Sequence, residues 1–425
     1  MHRLLNQVAR EVARGGAPCA SEWDCSLAGG CDEATHTCVC DAWTTGQACD
    51  ELFLARAAPV NGLHVDGYHS WGGHVVALPA SSASDDVVYH GFFSFILGGC
   101  TLASWKSNSA IMHAVASSPS GPFRPNPAVS SLDPAVGGIV VAPWAHSAFI
   151  VNEKKDATGL WLLWHIGNAS VPQKEWENCT NTVADAFPMH PQHTCNPKPC
   201  GATFYVQTSS SIDGPWSAPQ RLLLTQRALN ASWWSAAMKR NNPSMPAPLI
   251  LPNGTTLVYY QAANCPDGWG NLAPACVGVL RSESGWRGPY DLVDGIANAP
   301  IVRHMESEDP FVFQTKRGFH LLTNINTYHK RCAAGVKCGG HAWSNDGLVW
   351  SNQTIGAFGP KVILENGSIV VNSYVERPQV FLDPTGEPEV LYVGLTRPDG
   401  YQDSVTWAQR FCGNGGKEEG CYGPL

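Results

Sequence analysis

The sequence predicts an all-β fold, a five-bladed β-propeller behind a small disulfide-rich module. Three observations lead there. A unit of polar residue, proline, apolar strand, turn and second strand recurs at a spacing of roughly 60–80 residues, the mark of a repeat architecture built from about four strands per unit. Glycine and proline number 42 and 31 in a chain of 425 residues, which suits turns and strands better than helices. Six of the 16 cysteines fall between Cys19 and Cys49, where a core too small to hold itself needs covalent staples.

The repeat is clearest around Glu306, Glu308 and Asp309, which precede Pro310, the strand Phe311-Val312-Phe313, a turn at Lys316-Arg317-Gly318 and a second strand from Phe319 to Leu322. Proline cannot donate to a sheet ladder, so it belongs at the first residue of a strand. The same order follows Glu376-Arg377-Pro378 and Asn241-Asn242-Pro243. Earlier units open at Trp71-Gly72-Gly73-His74 and Ala145-His146-Ser147. The second strands read Val87 to Phe93, Leu160 to Trp164, Thr256 to Tyr260, Phe319 to Leu322 and Val390 to Val393, and the final strand covers Thr406 to Gln409. Four units share a third strand and a turn, at Gly121-Pro122-Phe123, Gly214-Pro215-Trp216, Gly288-Pro289-Tyr290 and Gly347 to Trp350. The aromatic after each turn is expected to pack on a neighbouring unit. The chain thus divides into a segment 1–17 able to form a short helix, a cysteine-rich module 18–50, a connector 51–69 and a propeller 70–425.

Composition excludes several classes of function. The net charge is −8 with no basic block, so nucleic acid is not an expected partner. No apolar run of about 18 residues is present, so no membrane span is expected. Sixteen cysteines, an even number, occur with six Asn-X-Ser/Thr acceptor sites at Asn168, Asn178, Asn230, Asn253, Asn352 and Asn366. Together they indicate a secreted or cell-surface glycoprotein, although Met1-His2-Arg3-Leu4-Leu5 shows no export signal. In such a compartment disulfides are favoured over zinc for these cysteines. Short-range pairs are expected at Cys265–Cys276, Cys332–Cys338 and Cys412–Cys421, with Cys100 joined to Cys179, Cys195 or Cys200.

The spacing of Cys19, Cys25, Cys31, Cys38, Cys40 and Cys49, with Trp43 and Gly46 before the last, resembles an EGF-like module. Spacing alone leaves every pairing of six cysteines open. The resemblance implies Cys19–Cys31, Cys25–Cys38 and Cys40–Cys49. Such a module serves as a rigid cap on the next domain or as a contact for a protein partner.

In a propeller the innermost strand of each blade starts at the axis, so the five strand mouths converge. They bring together Trp71, His74, His146, Asn242, Glu308, Asp309, Glu376 and Arg377, a set suited to a sugar. Hydroxyls take acceptors and donors, and a ring face stacks on tryptophan. Glycosidic cleavage needs one carboxylic acid to protonate the leaving oxygen and a second carboxylate as base or nucleophile. Glu308-Asp309-Pro310-Phe311-Val312-Phe313 and Val375-Glu376-Arg377-Pro378 resemble segments of the five-bladed propeller glycosidases, the arabinanase, xylosidase and invertase superfamily. The resemblance implies a transition-state-stabilising role for Asp309 and a general-acid role for Glu376, with Glu308 beside them and a carbohydrate as the substrate. It also implies an acidic residue at an early mouth, whereas Gly72, His146 and Asn242 stand there. Either Asp309, Glu308 and Glu376 supply both roles, or a glycan-binding pocket without turnover remains.

Each residue also has a structural reading. Glu376 and Arg377 can form an ion pair, His146 and His341 can be buried hydrogen-bonded residues, and Asn242 can cap a turn. His341 is carried with Trp71, His74, His146, Asn242 and Arg377 as a sugar contact. No organic cofactor is expected; the axial channel leaves room for a structural divalent cation. Like charge and partial burial among these acids are expected to raise one carboxyl pKa, assigned to Glu376.

Overall fold

The computed structural model describes residues 14–80, 86–133, 135–142, 145–154, 158–167, 179, 204–230, 244–262, 265–266, 272–273, 276–293, 307–325, 337–396, 403–413 and 420–423. They form a five-bladed β-propeller of antiparallel sheets. The three inner strands of the successive blades are His69–Pro79, Val87–Ile96 and Ser109–Ala116; Ala145–Asn152, Trp161–Gly167 and Phe204–Ser209; Ser244–Ile250, Thr256–Ala262 and Cys276–Ser282; Ser307–Gln314, Phe319–Ile325 and Cys338–Ser344; and Tyr374–Leu382, Pro388–Thr396 and Ser404–Arg410. Each matches a repeat unit read from the sequence. The second strands are apolar almost throughout because blades pack on both of their faces: Trp161–Gly167 and Phe319–Ile325 are buried at every residue.

The aromatic after each turn locks its blade to the one before. Trp216 meets Phe92 of blade 1 edge-on at 5.6 Å, Tyr290 meets Trp164 of blade 2 at 6.3 Å, and Trp350 meets Tyr259 of blade 3 at 6.0 Å. Phe123 closes the set against Tyr392 of blade 5 at 6.4 Å. Offset and edge-to-face pairs add about 0.5–1.5 kcal/mol each beyond the area they bury.

The ring is completed by a segment expected to be a simple connector. Leu63 bridges Thr406 of blade 5 and Phe123 of blade 1, its amide donating to the Thr406 carbonyl at 3.0 Å. Leu54–Ala55 pairs with Cys421–Tyr422, and Leu54 also bridges Phe411. The last described residues therefore hold the segment that follows the cysteine-rich module.

That module carries the disulfides Cys19–Cys31, Cys25–Cys38 and Cys40–Cys49. Cys100 joins Cys179, and Cys412 joins Cys421. Cys276 and Cys338 are also disulfide-bonded, and among the described residues no cysteine is free; Cys195, Cys200 and Cys332 lie outside the described residues, and no side-chain geometry is described for Cys265. The module caps blade 4. Trp43, 2% exposed, sits edge-on to Phe313, His320, His341 and Phe411 at centroid distances of 5.0–6.1 Å. Arg317, in the blade 4 turn, donates to Asp41 at 2.8 Å and pairs with Glu22. Asp50 accepts at its carbonyl from the His341 ring at 3.2 Å, if that nitrogen carries the proton, and its carboxylate accepts from Thr354 at 2.9 Å.

This contact places His341 in the interface, wholly buried and 3.1 Å from His320, so it is not a sugar contact at the mouth. A third-strand position lies one strand removed from the inner wall, which is why sequence polarity misassigned it.

Two outcomes follow from this packing. Trp43→Ala removes an aromatic that plugs the interface, and a loss of about 3–5 kcal/mol is expected, read as a lower urea midpoint and earlier proteolysis after the module. Burial also holds several histidines far below their ordinary 6.5, His165 and His341 to about 4 and His74 and His113 to about 3. The unfolded chain takes up protons at these rings below pH 6.5 while the native state does not, so stability is present above that value and lost on acidification. Thermal melting between pH 7 and pH 4 should show a steep fall that is reduced in His165→Gln.

Candidate functional site

The inner strands all depart from regular pairing at one level. Their registers shift between Ser70 and Gly73, His146 and Phe149, Ser244 and Ala247, Glu308 and Phe311, and Glu376 and Gln379. At each bulge one residue takes the left-handed conformation: Gly72 (φ 68°), Ser147 (59°), Met245 (57°), Asp309 (50°) and Arg377 (55°). Bulges re-aim side chains, and non-glycine residues avoid this region unless the surroundings hold them there. Five left-handed residues at one level are the structural signature of the mouth.

They frame a recess of about 30 Å³ lined by Trp71, Ser147, Met245, Asp309, Arg377 and Gln379, among others. The Arg377 guanidinium lies across it. One nitrogen stands 3.8 Å from the Asp309 carboxylate; another donates to the Ser147 hydroxyl and lies 3.0 Å from the Met245 sulfur. Gly72 makes room for this side chain, since a Cβ there would come within 2.8 Å of the Arg377 Cβ. Gly394 likewise admits the Trp71 ring, which a Cβ would meet at 2.6 Å.

Asp309 is buried, its amide donating to Gln261 Oε1 at 3.3 Å and its carboxylate accepting from the Arg377 amide. Burial raises its carboxyl pKa; the Arg377 guanidinium opposes this and the Glu376 charge adds to it. Asp309 is thus a carboxyl whose pKa is raised at the mouth. Glu376 is held by Lys337, whose ammonium is 2.5 Å from its carboxylate and 4.9 Å above the Tyr374 ring. The ion pair that Glu376 and Arg377 could have formed with each other gives way to two pairs, Glu376 with Lys337 and Arg377 with Asp309.

The other expected residues divide. Trp71 lines the recess. Glu308 is partly buried at the strand opening, opposite Asn324. His146 sits behind Ser147, 1% exposed, bonded to the Ser109 hydroxyl at 2.9 Å and stacked on Trp105; burial, then Arg377, pushes its pKa well down. Ser147, not His146, faces the recess. His74 points past the mouth into an aromatic layer, 4.1 Å from Phe149 and 6.0 Å from Phe311. With Phe149 and Phe311 it lines a separate cavity of about 940 Å³, and it is not among the residues that line the recess. Asn242 lies outside the described residues, and Met245 holds the blade 3 mouth instead. Glu306 and the acceptor sites Asn168 and Asn178 also fall outside them. Among the described residues, no group of three metal-ligating side chains lies in the axial channel.

Sequence reasoning missed Ser147, Met245, Gln379 and Lys337. Ser147 was legible as a polar residue at the opening of its strand; Met245 was not, because sheet register alone puts it at the bulge. Lys337, directly before the strand Cys338–Ser344, carries no such signal.

No family model and no curated protein matches the sequence. Its fold is that of solved glycoside hydrolases. One described as a glycoside hydrolase aligns with a TM-score of 0.52 at 10% identity, over 85% of this protein and 92% of its own length. A GH62 hydrolase in complex with xylotriose aligns with a TM-score of 0.50 at 9% identity, over 84% of this protein and 96% of its own length.

A buried acid with a raised pKa has a measurable cost. The native state keeps the Asp309 proton above the ordinary 3.8, so stability is lost as pH rises through the window above that value. Asp309→Asn should therefore melt above wild type at pH 7 and converge with it as pH falls toward 3.8. A lower melting point at pH 7 would mean that the Arg377 pairing outweighs burial.

Proposed function

We propose that this protein is a glycoside hydrolase acting on a poly- or oligosaccharide, with Asp309 and Glu376 as its paired carboxylates. The observation that carries the reading is their placement on adjacent inner strands at one mouth, near enough that the Glu376 charge acts on the titration of Asp309. A reaction through two carboxylates needs one that keeps its proton and one that does not. Burial makes Asp309 the proton donor to the leaving oxygen. Glu376, beside the Lys337 ammonium, is then the base or nucleophile. This reverses the roles that sequence resemblance implied. Ser147 supplies a hydroxyl, and Arg377 orients Asp309.

A second reading, glycan binding without turnover, has its own support. Gly72, Ser147 and Met245 occupy the other three mouths, so among the described residues no carboxylate stands at those bulges, and each acid already holds a cation. The disulfides and the exposure of Asn253, Asn352 and Asn366 support an extracellular glycoprotein under either reading. No helix among the described residues is long and apolar enough to cross a membrane. The cysteine-rich module acts as a rigid cap on blade 4.

A panel of polysaccharides scored for both retention and new reducing ends separates the readings. Glu376→Gln and Asp309→Asn should each lower turnover by roughly 10²–10⁴-fold while binding persists, as for a positioned acid or base. Wild-type turnover in both variants would refute the assignment. Tight retention with no cleavage by wild type would establish the binding reading.

A further inference from the structure

A second polar cluster lies away from the mouth, between blades 1 and 2. His90 and His113 project from the second and third strands of blade 1, where His90 is opposite Val115 and His113 opposite Phe92, so the two rings meet on a diagonal. His90 Nδ1 and His113 Nε2 are 3.0 Å apart. Asp213, in the turn before Trp216 of blade 2, brings a carboxylate oxygen to 3.9 Å from His113. One ligand atom from each of the three lies within 4.8 Å of the others.

The surroundings fix this arrangement. Asn126 is 5% exposed; its side-chain oxygen accepts from the Ala128 amide at 3.0 Å, and its nitrogen donates to Asp213 at 2.8 Å. Phe92 stacks on His113 at 4.3 Å, and Trp216 closes over Phe92. Asp213 keeps 38% of its side chain exposed, which leaves an open edge for entry and for a water. Blade 4 supplies a contrast. There His320 and His341 meet on the same diagonal, but their outer nitrogens are taken by the Thr315 hydroxyl and the Asp50 carbonyl. In the blade 1 pair the outer nitrogen of His113 lies 3.3 Å from the Asn126 side-chain nitrogen and 3.9 Å from the Asp213 carboxylate, which Asn126 also holds.

We propose that His90, His113 and Asp213 form a binding site for a divalent transition metal, zinc by ligand chemistry, that clamps blade 1 to blade 2. Two imidazoles and a carboxylate with one open position are a recurrent zinc donor set, and nitrogens at about 2.0–2.1 Å from tetrahedral zinc stand about 3.3 Å apart, close to the spacing present. Both lone pairs must face the ion. The ring that now donates in the histidine pair therefore carries its proton on its other nitrogen when metal binds, with no net proton released. Burial keeps both imidazoles below their ordinary pKa, so they are neutral at pH 7. Asn126 aims the Asp213 carboxylate, the part an outer-shell partner plays in metal sites.

The test uses the full chain, freed of any affinity tag and of metal by dialysis against chelator. Calorimetry with zinc chloride should give one ion per molecule with micromolar or tighter affinity and a raised melting temperature. Cobalt(II) should give visible absorption of four- or five-coordinate intensity. Asp213→Asn should weaken zinc at least tenfold, and His90→Ala with His113→Ala should abolish binding while the metal-free melting curve stays cooperative. Conservative His113→Gln, which keeps a polar group against Phe92, provides the same reading if the double variant does not fold. Absence of stoichiometric zinc binding, wild-type affinity in the histidine variants, or calcium binding in preference to zinc would each overturn the proposal.

Discussion

The structure depends on one repeated backbone event, the bulge that breaks each inner strand at the same level. A strand in regular pairing would alternate its side chains between the two faces of its blade and offer the axis only backbone. The extra residue turns a side chain toward the centre in four blades and leaves room for one at Gly72 in the first. A left-handed conformation at serine, methionine, aspartate and arginine is unfavourable in isolation. It persists because pairing resumes immediately on either side, through Phe149, Ala247, Phe311 and Gln379. The surrounding sheet therefore supports the geometry of the mouth, and substitutions at these positions change what is presented there while leaving the blades their ladders.

Electrostatics at the mouth set two tendencies against each other. Burial favours the protonated form of Asp309, and Arg377 favours the ionised form. Arg377 is anchored on Ser147 and Met245 from two other blades, so its place is fixed by the ring as a whole. Lys337 holds Glu376 in a separate pair. The acids are in this way divided between two cations of different geometry, a planar guanidinium and a point charge on a flexible stem. Any ligand entering the recess must displace or recruit these contacts.

Much of the fold was legible because strand runs and prolines are local signals. Pro310 and Pro378 stand at the bulges of blades 4 and 5, and the residues ahead of them, Asp309 and Arg377, were found from sequence. In blade 3 the rule meets several prolines, Pro243, Pro246 and Pro248. It selected Asn242, which lies outside the described residues; among those described, sheet register puts Met245 at the bulge, and register is a long-range property. His74 and His341 were overvalued for a related reason. A histidine in an apolar run reads as a ligand, while here aromatic stacking and a partner ring satisfy it inside the core. Lys337 could not be found at all, since no local pattern marks a lysine ahead of a third strand as the partner of an acid in the next blade.

The closure through Leu63 bears on how the molecule comes to exist. The residues that complete blade 5 leave the ribosome long before blade 5 itself, so the first segment must wait with its hydrogen-bonding groups unmet until Thr406 arrives. Contacts so distant in sequence are slow to form, and a ring lacking its last blade exposes the flank of blade 1. The cysteine-rich module can form its own short-range disulfides during that interval, leaving a compact knob beside an open arc of blades. Capture of Leu54 by Tyr422 and of Leu63 by Thr406 then fastens the same stretch at two points. A permuted sequence that began after Leu63 and carried this stretch at its far end would make the closure local, and its assembly would report directly on the delay that the natural order imposes.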